Sequence, residues 1–505
     1  MIVKRIIIIS IISCAAWMGN VTAQIATDAL LLSQYYSMST ARSAGMSGAF
    51  GALGGDLSVL STNPAGLAVY RGSEFIFTPT LSFTNTSSLF ENTKLKEKNS
   101  RMNFSNIGYV YTWNLYNEKG LKSINFGLAY NRLSDFNSDA FIDVNAQSSM
   151  LDEFVMYADG YTPGQLDSWR SGLAYDCYAI NDYSDNNTLY YSDYDFYEYG
   201  QQMIRSAGYR GSVSEYDISL GANINHKWYL GVTWGIQNTS YDEYYSHGES
   251  PFFKDASYSG ALLQSFRYNS KYLMDGWGMN AKFGVIFRPI NPLRFGLSVH
   301  TPTYHWMRCE WATDMSATFD TPPSSDEAST VWYESPISEN KFKISTPWRY
   351  NVSAAGVFGG LALLGIDVEY VNYSTIDMLP GRDYKGNNDE ISSGFTNALN
   401  LKAGAEFRLG PVSLRAGTAF YGSPYKDSYH TGGIPVFDNV VSNKGTISYS
   451  GGIGFRANTF YMDAAYTYMQ YPKYYYDLYE IPEKMLSSVF QRKSNKIIVT
   501  FGFRF

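Results

Sequence analysis

The chain has 505 residues and a net charge of −7, with 39 Lys or Arg against 46 Asp or Glu, which argues against a nucleic-acid-binding protein. Charged residues make up only 17% and aromatic residues another 17%, and the chain holds 44 Tyr, 44 Gly and 3 Cys. This composition fits neither a disordered chain nor a disulfide-stapled one, and it favours many strands with tight turns. Beyond the N-terminus no stretch holds 18 consecutive apolar residues, so a helical membrane protein is excluded.

Residues 1–23 are predicted to be a signal peptide. A basic pair precedes an apolar run, and a small-residue cleavage site ends at Ala23. A second interpretation places a lipid on Cys14, the last residue of an Ile-Ile-Ser-Cys run. Either route exports the protein. In an exported chain Cys177 and Cys309 have the option of a disulfide, and no multi-cysteine framework or metal site exists.

Residues 24–72 differ in character from the remainder of the chain. Positions 44–56 are small and Gly-rich, and an Asn-Pro-Ala-Gly-Leu run follows at 63–67. Small residues allow close packing, and Asn-Pro followed by Gly marks turns. The strands described next predict a barrel whose bore would leak unless it were filled. We therefore expect residues 24–72 to form a hatch inside the lumen.

From residue 73 to residue 505 apolar and polar residues alternate in successive segments. We count about 14 of them, and an even number is what single-chain bacterial barrels require. They start near residues 74, 101, 121, 212, 227, 261, 292, 341, 361, 393, 411, 445, 459 and 489. The period-two phase turns one apolar row towards lipid, including Leu399, Leu401, Ala403, Phe407, Val499, Phe501 and Phe503.

The connections between these segments alternate between short and long. Short periplasmic turns alternating with long external loops are the topology of an outer-membrane barrel. The sequence therefore predicts an all-β fold, a transmembrane antiparallel barrel of about 14 strands, located in the outer membrane of a Gram-negative cell. The longest connection, 135–211, is the large external loop. The aromatic C-terminus, which ends at Phe505, is similar to the signal read by the barrel assembly machinery.

The run from Gly45 to Ala68 resembles the FadL/TodX family of outer-membrane transporters for hydrophobic compounds. Matching segments follow at 276–285, 346–350 and 414–424. Part of this family is labelled as haemin receptors. The resemblance implies an N-terminal hatch and a hydrophobic ligand that leaves sideways beside a kinked third strand, where Gly127 would permit the kink. The residues assigned to the hatch are Gly45, Gly48, Asn63, Pro64, Ala65 and Gly66.

Charged residues of both signs fall on the predicted lumen face of the strands. Mixed signs suggest a neutralised network that holds the hatch, and a conduction path is the alternative. The predicted lumen network comprises Arg294, Asp367, Glu369, Lys402, Glu406, Arg408, Arg415, Asp463 and Arg504.

The external loop is acidic and rich in tyrosine. Residues 135–200 hold 13 acidic residues, ten Tyr and one base, Arg170. Ser149 precedes apolar residues at helical spacing, which predicts a folded helix. The loop is interpreted either as a solvated cap or as a capture surface, for a ligand or, through divalent cations, for anionic lipid headgroups.

No catalytic constellation, cofactor motif or metal motif is recognisable, so we expect no enzyme activity. His247, His305 and His430 map to the external side, where a haem ligand would sit, but their spacing matches no metal motif.

The leading functional hypothesis is a channel for uptake of small hydrophobic molecules, either long-chain fatty-acid-like or aromatic. The alternatives are a non-transporting barrel in protein export or surface attachment, and a haem receptor.

The expected partners are the hydrophobic ligand, outer-membrane lipids and, during biogenesis, the assembly machinery. The chain is expected to be a monomer.

If the protein is a transporter, a continuous apolar pocket should run from the external loops to the hatch. A docking barrel predicts a blocked lumen instead.

Overall fold

The computed structural model describes residues 26–36, 39–183, 185–192, 199–250, 261–426, 430–431, 434–435, 445–481 and 484–505. The predicted signal peptide and Cys14 lie outside these residues.

Fourteen strands pair antiparallel in chain order, and the last pairs with the first, Glu74 opposite Arg504, so the barrel is closed. The first seven are β1 Glu74–Phe90, β2 Thr93–Asn114, β3 Leu121–Asp135 with Ser138–Asn145, β4 Gln202–Ile224, β5 Trp228–Ser250, β6 Leu263–Ile290 and β7 Leu293–His300 with Tyr304–Phe319. The second seven are β8 Ser338–Ser345 with Arg349–Phe358, β9 Ala362–Asn372 with Asp377–Leu379, β10 Asn397–Leu409, β11 Val412–Tyr421, β12 Thr446–Arg456, β13 Phe460–Ile481 and β14 Lys484–Arg504.

The predicted 14-stranded barrel is confirmed, with strand starts that differ in places. β2, β4 and β14 begin at 93, 202 and 484, earlier than the predicted 101, 212 and 489. The outward residues at their outer ends are mostly polar, as at Lys94, Lys96 and Lys98 of β2, so these ends lack the alternation on which the prediction depended. We call the end that carries the long connections the outer end.

Helices are few and short. They comprise a stretch at 26–31, Ala41–Ala44, Met150–Ala158, Ser171–Asp176 and Lys385–Gly394, with 3-10 turns at Leu57–Ser61, Pro64–Val69, Pro163–Gln165 and Tyr373–Thr375. Minor strands lie at Ile180–Tyr183, Asn186–Ser192, Thr330–Glu334, His430–Thr431 and Ile434–Pro435. Among the described helices none has the length and apolar character needed to cross a membrane.

The outward face of the barrel is apolar, as the period-two phase predicts. Leu401 is 47% exposed, Ile497 is 42% exposed and Phe503 is 39% exposed. Their neighbours in the chain point inwards, since Ile498 is 0% exposed and Thr500 is 1% exposed. This outward apolar row is what a hydrocarbon environment requires of a spanning barrel.

The external loop folds into a cap over the outer end. The predicted helix is present at Met150–Ala158, where Ser149 and Asp152 form a capping box that satisfies the first backbone N–H groups. Its buried residues, notably Phe154, belong to an apolar cluster that includes the outer ends of seven strands, β1, β3, β4, β6, β7, β13 and β14. The strand residues in this cluster include Phe266, Tyr268, Met315, Phe319, Leu478 and Phe490.

Both described cysteines are free thiols, so the disulfide option is not realised. Cys177 is buried inside the cap, where its Sγ donates a hydrogen bond to the carbonyl of Met315 at 3.3 Å. Burial raises the pKa of the Cys177 thiol to about 12, which makes it a poor nucleophile. Cys309 lies on β7, half-buried.

Candidate functional site

Most of the described residues before the first strand are buried inside the barrel. We call the described residues 26–36 and 39–72 the luminal segment. All six residues assigned to the hatch from the sequence are buried within it. Gly48 has a φ of 79°, a conformation that glycine adopts without strain. A Cβ on Gly45 would lie 3.3 Å from the Arg415 side chain, so the segment is in close contact with the wall.

Asn63 holds the tightest turn of the luminal segment. Its Oδ1 accepts a hydrogen bond from the Ala65 N–H at 3.2 Å, and its Nδ2 donates to the Gly51 carbonyl at 2.7 Å. The second Nδ2 contact, 3.5 Å to the Val285 carbonyl, reaches strand β6. Asn63 thus links two turns of the segment to the barrel wall.

Two wall glycines make room for this turn. A Cβ on Gly284 would lie 2.0 Å from Asn63 Oδ1, and a Cβ on Gly231 would lie 2.1 Å from the Pro64 carbonyl carbon. Real Cβ atoms do not approach so closely. The turn therefore seats in a groove that only glycine permits on β5 and β6.

A buried ionic cluster joins the luminal segment to β10, β11 and β13. Arg42 Nε and Arg415 Nε both donate to Glu406 Oε2, at 2.9 and 2.7 Å. Arg415 Nη1 in turn lies 2.8 Å from Asp463 Oδ1. Arg408 adds a contact of 2.7 Å to Glu406. Since Arg415, Glu406 and Asp463 have fully buried side chains, each charge depends on its partners.

Other predicted network residues contact the luminal segment directly. Asp367 Oδ2 accepts hydrogen bonds from the backbone N–H groups of Phe50 and Gly51, at 3.1 and 2.8 Å. Arg294 donates to the Leu53 carbonyl. These bonds satisfy backbone groups that would otherwise be buried without partners.

Three other residues of the predicted network, Glu369, Lys402 and Arg504, form no hydrogen bond or ion pair with the described residues of the luminal segment. Glu369 pairs with Arg349 at 3.3 Å. Lys402 Nζ lies 5.8 Å from the ring centre of Tyr421. Arg504 is partly exposed at the periplasmic end and pairs with Glu74 at 2.9 Å.

Sequence reasoning missed a second buried ion group. Lys282 Nζ lies 2.5 Å from Glu215 Oε2 and 3.0 Å from Asp217 Oδ1. The sequence did contain a signal for this group, because the two acids alternate with Tyr216 and Ile218 along β4.

The sequence analysis also missed Arg42 and Arg349, although Arg42 is the single charged residue between positions 29 and 55.

An apolar layer lies on the outer side of these charges. Leu30 and Leu32 of the luminal segment pack with Met274, Met307 and Ile344 of the wall. Asp28 is buried in the same layer, where its Oδ2 accepts a hydrogen bond from the Tyr272 hydroxyl at 2.5 Å. Burial raises the pKa of Asp28 to about 8.

A small polar cavity lies between this layer and the Asn63 turn. Its volume is about 40 Å³, and charged groups line it, including Glu215, Lys282, Arg349 and Glu369. Such a volume holds a few water molecules, whereas sites for drug-sized ligands measure roughly 300–1,000 Å³. Among the described residues, the cavity at this level is small and lined by charged groups, so it is not part of the continuous apolar pocket that a transporter predicts.

The external histidines do not form a haem site among the described residues. His247 and His305 are 0% and 1% exposed, and His247 Nε2 lies 2.9 Å from Glu249. No group of three His, Cys, Asp or Glu suited to a metal ion occurs in the described ranges. The side chain of His430 lies outside them.

The wall between β2 and β3 is hydrogen-bonded only along its periplasmic half. Backbone pairing runs from Asn114 opposite Ser123 to Asn106 opposite Asn131 and stops there. Beyond that point the described residues connect the two strands through side chains. Asn103 donates to Asp135 at 3.3 Å, and Asn99 donates to Asp139 at 2.6 Å.

The irregularity in β3 is not at Gly127, where a kink was expected. Gly127 pairs regularly with Val110 of β2 and with Ser219 of β4. A Cβ at Gly127 would lie 3.1 Å from Leu60 Cδ2, so this glycine gives the luminal segment room. The register of β3 against β4 shifts on either side of this glycine, between Leu121 and Ser123 and between Arg132 and Ser134.

No family model and no curated protein matches the chain. Among solved structures, a FadL homologue of Pseudomonas aeruginosa matches with 12% identity and a TM-score of 0.53, over 93% of this chain and 99% of that one. The toluene transporter TbuX of Ralstonia pickettii matches with 10% identity and a TM-score of 0.49, over 94% and 99% of the two chains. The toluene transporter TodX of Pseudomonas putida gives 12% identity and 0.49, over 94% and 100%.

The first of these matches shows a shared fold over nearly the full length of both chains. It agrees with the family resemblance carried by the sequence motifs. A closed barrel with an outward apolar face is also the form in which strands cross a membrane. The chain is therefore an outer-membrane β-barrel of fourteen strands with the fold of the FadL homologue.

Proposed function

We propose that the protein is an outer-membrane channel for small hydrophobic molecules, with the luminal segment as its hatch. The main observation that supports this proposal is the FadL-type fold, since the structural match covers 99% of the Pseudomonas aeruginosa FadL homologue. A hydrophobic compound must cross a polar layer of sugars outside the membrane. A barrel that offers apolar groups on its inner side lowers the cost of that step.

The cap supplies the apolar groups at the outer end. Its interior is aromatic, with Phe154, Tyr268, Tyr479 and Phe490 all buried. We infer that a ligand enters by displacing part of this cluster, and that it is a long-chain fatty-acid-like or an aromatic compound. The polar cavity beneath is unsuited to an apolar ligand, since an apolar molecule would strip its charged groups of water.

The exit that fits this arrangement is lateral. Above Asn106 and Asn131 the wall between β2 and β3 has side-chain bonds in place of a backbone ladder. The two bonds have carboxylate acceptors and contribute about 1.5–3 kcal/mol each. They are fewer than the backbone bonds that a paired ladder of the same length would hold, so this part of the wall opens at lower cost than a paired ladder. A ligand leaving here enters the membrane and avoids the polar layer below.

Uptake by whole cells tests the channel. Cells that lack the protein and cells that express it are given radiolabelled toluene or oleate at equal concentration. Expression should raise the initial uptake of at least one probe several-fold. Equal uptake of both probes in both strains would contradict transport of these compounds.

A cross-link tests the exit. Asn103→Cys and Asp135→Cys are introduced together in a Cys177→Ala/Cys309→Ser background, and a short bifunctional thiol reagent joins them. Uptake should fall after cross-linking and return when a cleavable reagent is reduced. The matched control places the pair across the regular ladder, at Tyr109 and Leu128, where cross-linking should leave uptake unchanged.

The small, polar character of the luminal cavity favours a second candidate, a non-transporting barrel that attaches other proteins to the cell surface. This candidate predicts no uptake difference in the first experiment. It also predicts that removal of the cap releases surface proteins while barrel assembly stays normal.

A further inference from the structure

Four neighbouring strands, β13, β14, β1 and β2, present one continuous outward surface. The register places Met102, Leu81, Ile497 and Tyr466 in one row across these strands. Three of these side chains belong to the outward apolar face, with Met102 67% exposed, Leu81 42% exposed and Ile497 42% exposed. This row marks lipid-facing wall.

The same register places lysines two rows beyond the apolar row. Two positions further out, the row reads Ser100, Phe83, Asn495 and Tyr468. The next row reads Lys98, Asn85, Lys493 and Gln470, and the row after it reads Lys96, Ser87, Gln491 and Lys473. Lys94 follows on β2, opposite Leu89. We call Lys94, Lys96, Lys98, Lys473 and Lys493 the basic patch.

Lys94, Lys96 and Lys98 share one face of β2 because they alternate along the strand, and the bulge in β2 turns that face outwards. The register shifts between Thr78 and Pro79, so Ser105 is passed over and the even-numbered residues of β2 face outwards beyond it. Successive outward residues lie roughly 6.8 Å apart along a strand, and neighbouring strands lie about 4.8 Å apart. The five ammonium groups therefore surround Asn85, Ser87 and Gln491, which can hydrogen-bond an oxyanion between them.

The lysines of the basic patch are not engaged elsewhere in the described structure. None forms an ion pair within 4.0 Å or a side-chain hydrogen bond with a described residue. The nearest acid on the same face of β13 is Asp477, four positions beyond Lys473, and it accepts the Ser487 hydroxyl at 2.6 Å. The patch thus holds a net positive charge where the apolar wall ends.

We propose that the basic patch binds the phosphorylated headgroup of a lipid in the outer leaflet, with the acyl chains against Leu81, Met102 and Ile497. Lysines next to a membrane gain attraction from anionic headgroups, and the nearby apolar row holds the chains of the same molecule. This continuity between the apolar row and the charges favours a lipid over a free anion. The proposal does not depend on whether the barrel transports a ligand.

The test measures binding of fluorescent bisphosphorylated lipid A to the full-length protein in micelles of a neutral detergent. The variant Lys96→Gln/Lys98→Gln/Lys493→Gln should bind about tenfold or more weakly. A matched control, Lys119→Gln/Lys227→Gln/Lys385→Gln, removes the same charge at positions off the patch and should bind as the parent does. The variant Lys96→Arg/Lys98→Arg/Lys493→Arg should keep the affinity.

Three results would overturn the proposal. They are equal affinity of the glutamine variant and its control, equal affinity for lipid A that has lost both phosphates, and full competition by inorganic phosphate at millimolar concentration. The last would identify a free-anion site instead of a lipid site. A heat-modifiable shift on gel electrophoresis verifies that each variant is folded, so weak binding is not a result of unfolding.

Discussion

Arg42 in the luminal segment and Glu406 on β10 form an ion pair of 2.9 Å, although 364 positions separate them in the chain. Glu406 has no exposed side-chain surface, and Arg42 retains 11%. Arg415 binds the same oxygen of Glu406. The luminal segment thus contributes one charge to a cluster that belongs otherwise to the wall.

Replacing Arg42 by Gln should loosen the luminal segment and leave the barrel folded. The change removes a charge-assisted hydrogen bond, a contribution of about 1.5–3 kcal/mol. Glu406 keeps Arg415 and Arg408, so its charge stays compensated. Swelling of proteoliposomes in a small sugar should speed up. Lys385→Gln, an exposed cation, is the control, and equal swelling of all three proteins would show that Arg42 does not hold the segment.

Replacing Gly284 by Ala should displace the Asn63 turn. The added Cβ would lie 2.0 Å from Asn63 Oδ1, so the turn must move out of its groove. Gly451→Ala is a matched strand glycine, whose nearest described contact would be 3.8 Å away. Limited proteolysis should cut the luminal segment faster in Gly284→Ala only. Identical cleavage in the two variants would mean that the groove has no part in seating the turn.

Asn63→Ala changes the turn itself, whereas Gly284→Ala changes the wall that the turn packs against. The change removes the bonds to Gly51 and Ala65 and leaves the strand ladder untouched. Uptake of the hydrophobic probe should fall while heat-modifiable mobility stays normal. Normal uptake would mean that residues 63–65 act as inert filler.

The packing of the segment that carries Asp28 should weaken as the pH rises. The pKa of Asp28 is raised from its usual 3.8 to about 8, chiefly by burial and further by Glu243, against the Tyr272 bond that lowers it. Between these two values the folded state holds a proton that the unfolded state has lost, so stability falls with rising pH by up to about 1.4 kcal/mol per unit. Above about pH 8 the loss levels off.

Protease sensitivity of the luminal segment at pH 6 and pH 9 measures this dependence. It should rise with pH in the parent and stay flat in Asp28→Asn. Cys309, which faces the same carboxyl, is replaced by Ser in a parallel variant to exclude thiol ionisation. A pH response that persists in Asp28→Asn would assign it to another group.

A substitution at Leu401 tests whether the apolar row of the strands faces lipid. Leu401 is 47% exposed on the lipid-facing side of β10. Leu401→Arg should cost about 2–4 kcal/mol if the side chain lies near the bilayer midplane. Folding yield into liposomes, compared with the inward-facing exchange Lys402→Arg, measures the cost. Equal yields would contradict the orientation of this strand.

The barrel was predictable from sequence because its signal is periodic and repeated. Leu399 and Leu401 alternate with Asn400 and Lys402, and such alternation recurs in every strand. The luminal ion pairs were only partly predictable. Asp367 and Glu406 lie in clean alternation, but their partners in the luminal segment, such as Arg42, belong to no periodic pattern.

The end of the backbone pairing between β2 and β3 was not predictable from the sequence, and the kink expected in β3 was assigned to Gly127. Glycine marks flexibility in a strand, so Gly127 attracted the assignment. In the structure its missing side chain serves packing against Leu60. The end of the ladder at Asn131 depends on where β2 separates from β3, and that is a property of two strands together.

The backbone N–H of Ala41 donates to the hydroxyl of Thr500 on the final strand, at 2.8 Å. The donor is among the earliest residues that the structure describes, and the acceptor lies five positions before the C-terminus. This bond can form only after the chain has been synthesised past Thr500 and the final strand has met the luminal segment. Loss of the residues from Thr500 onwards would therefore remove this anchor of the luminal segment together with the last-to-first strand pairing that closes the barrel around Glu74 and Arg504.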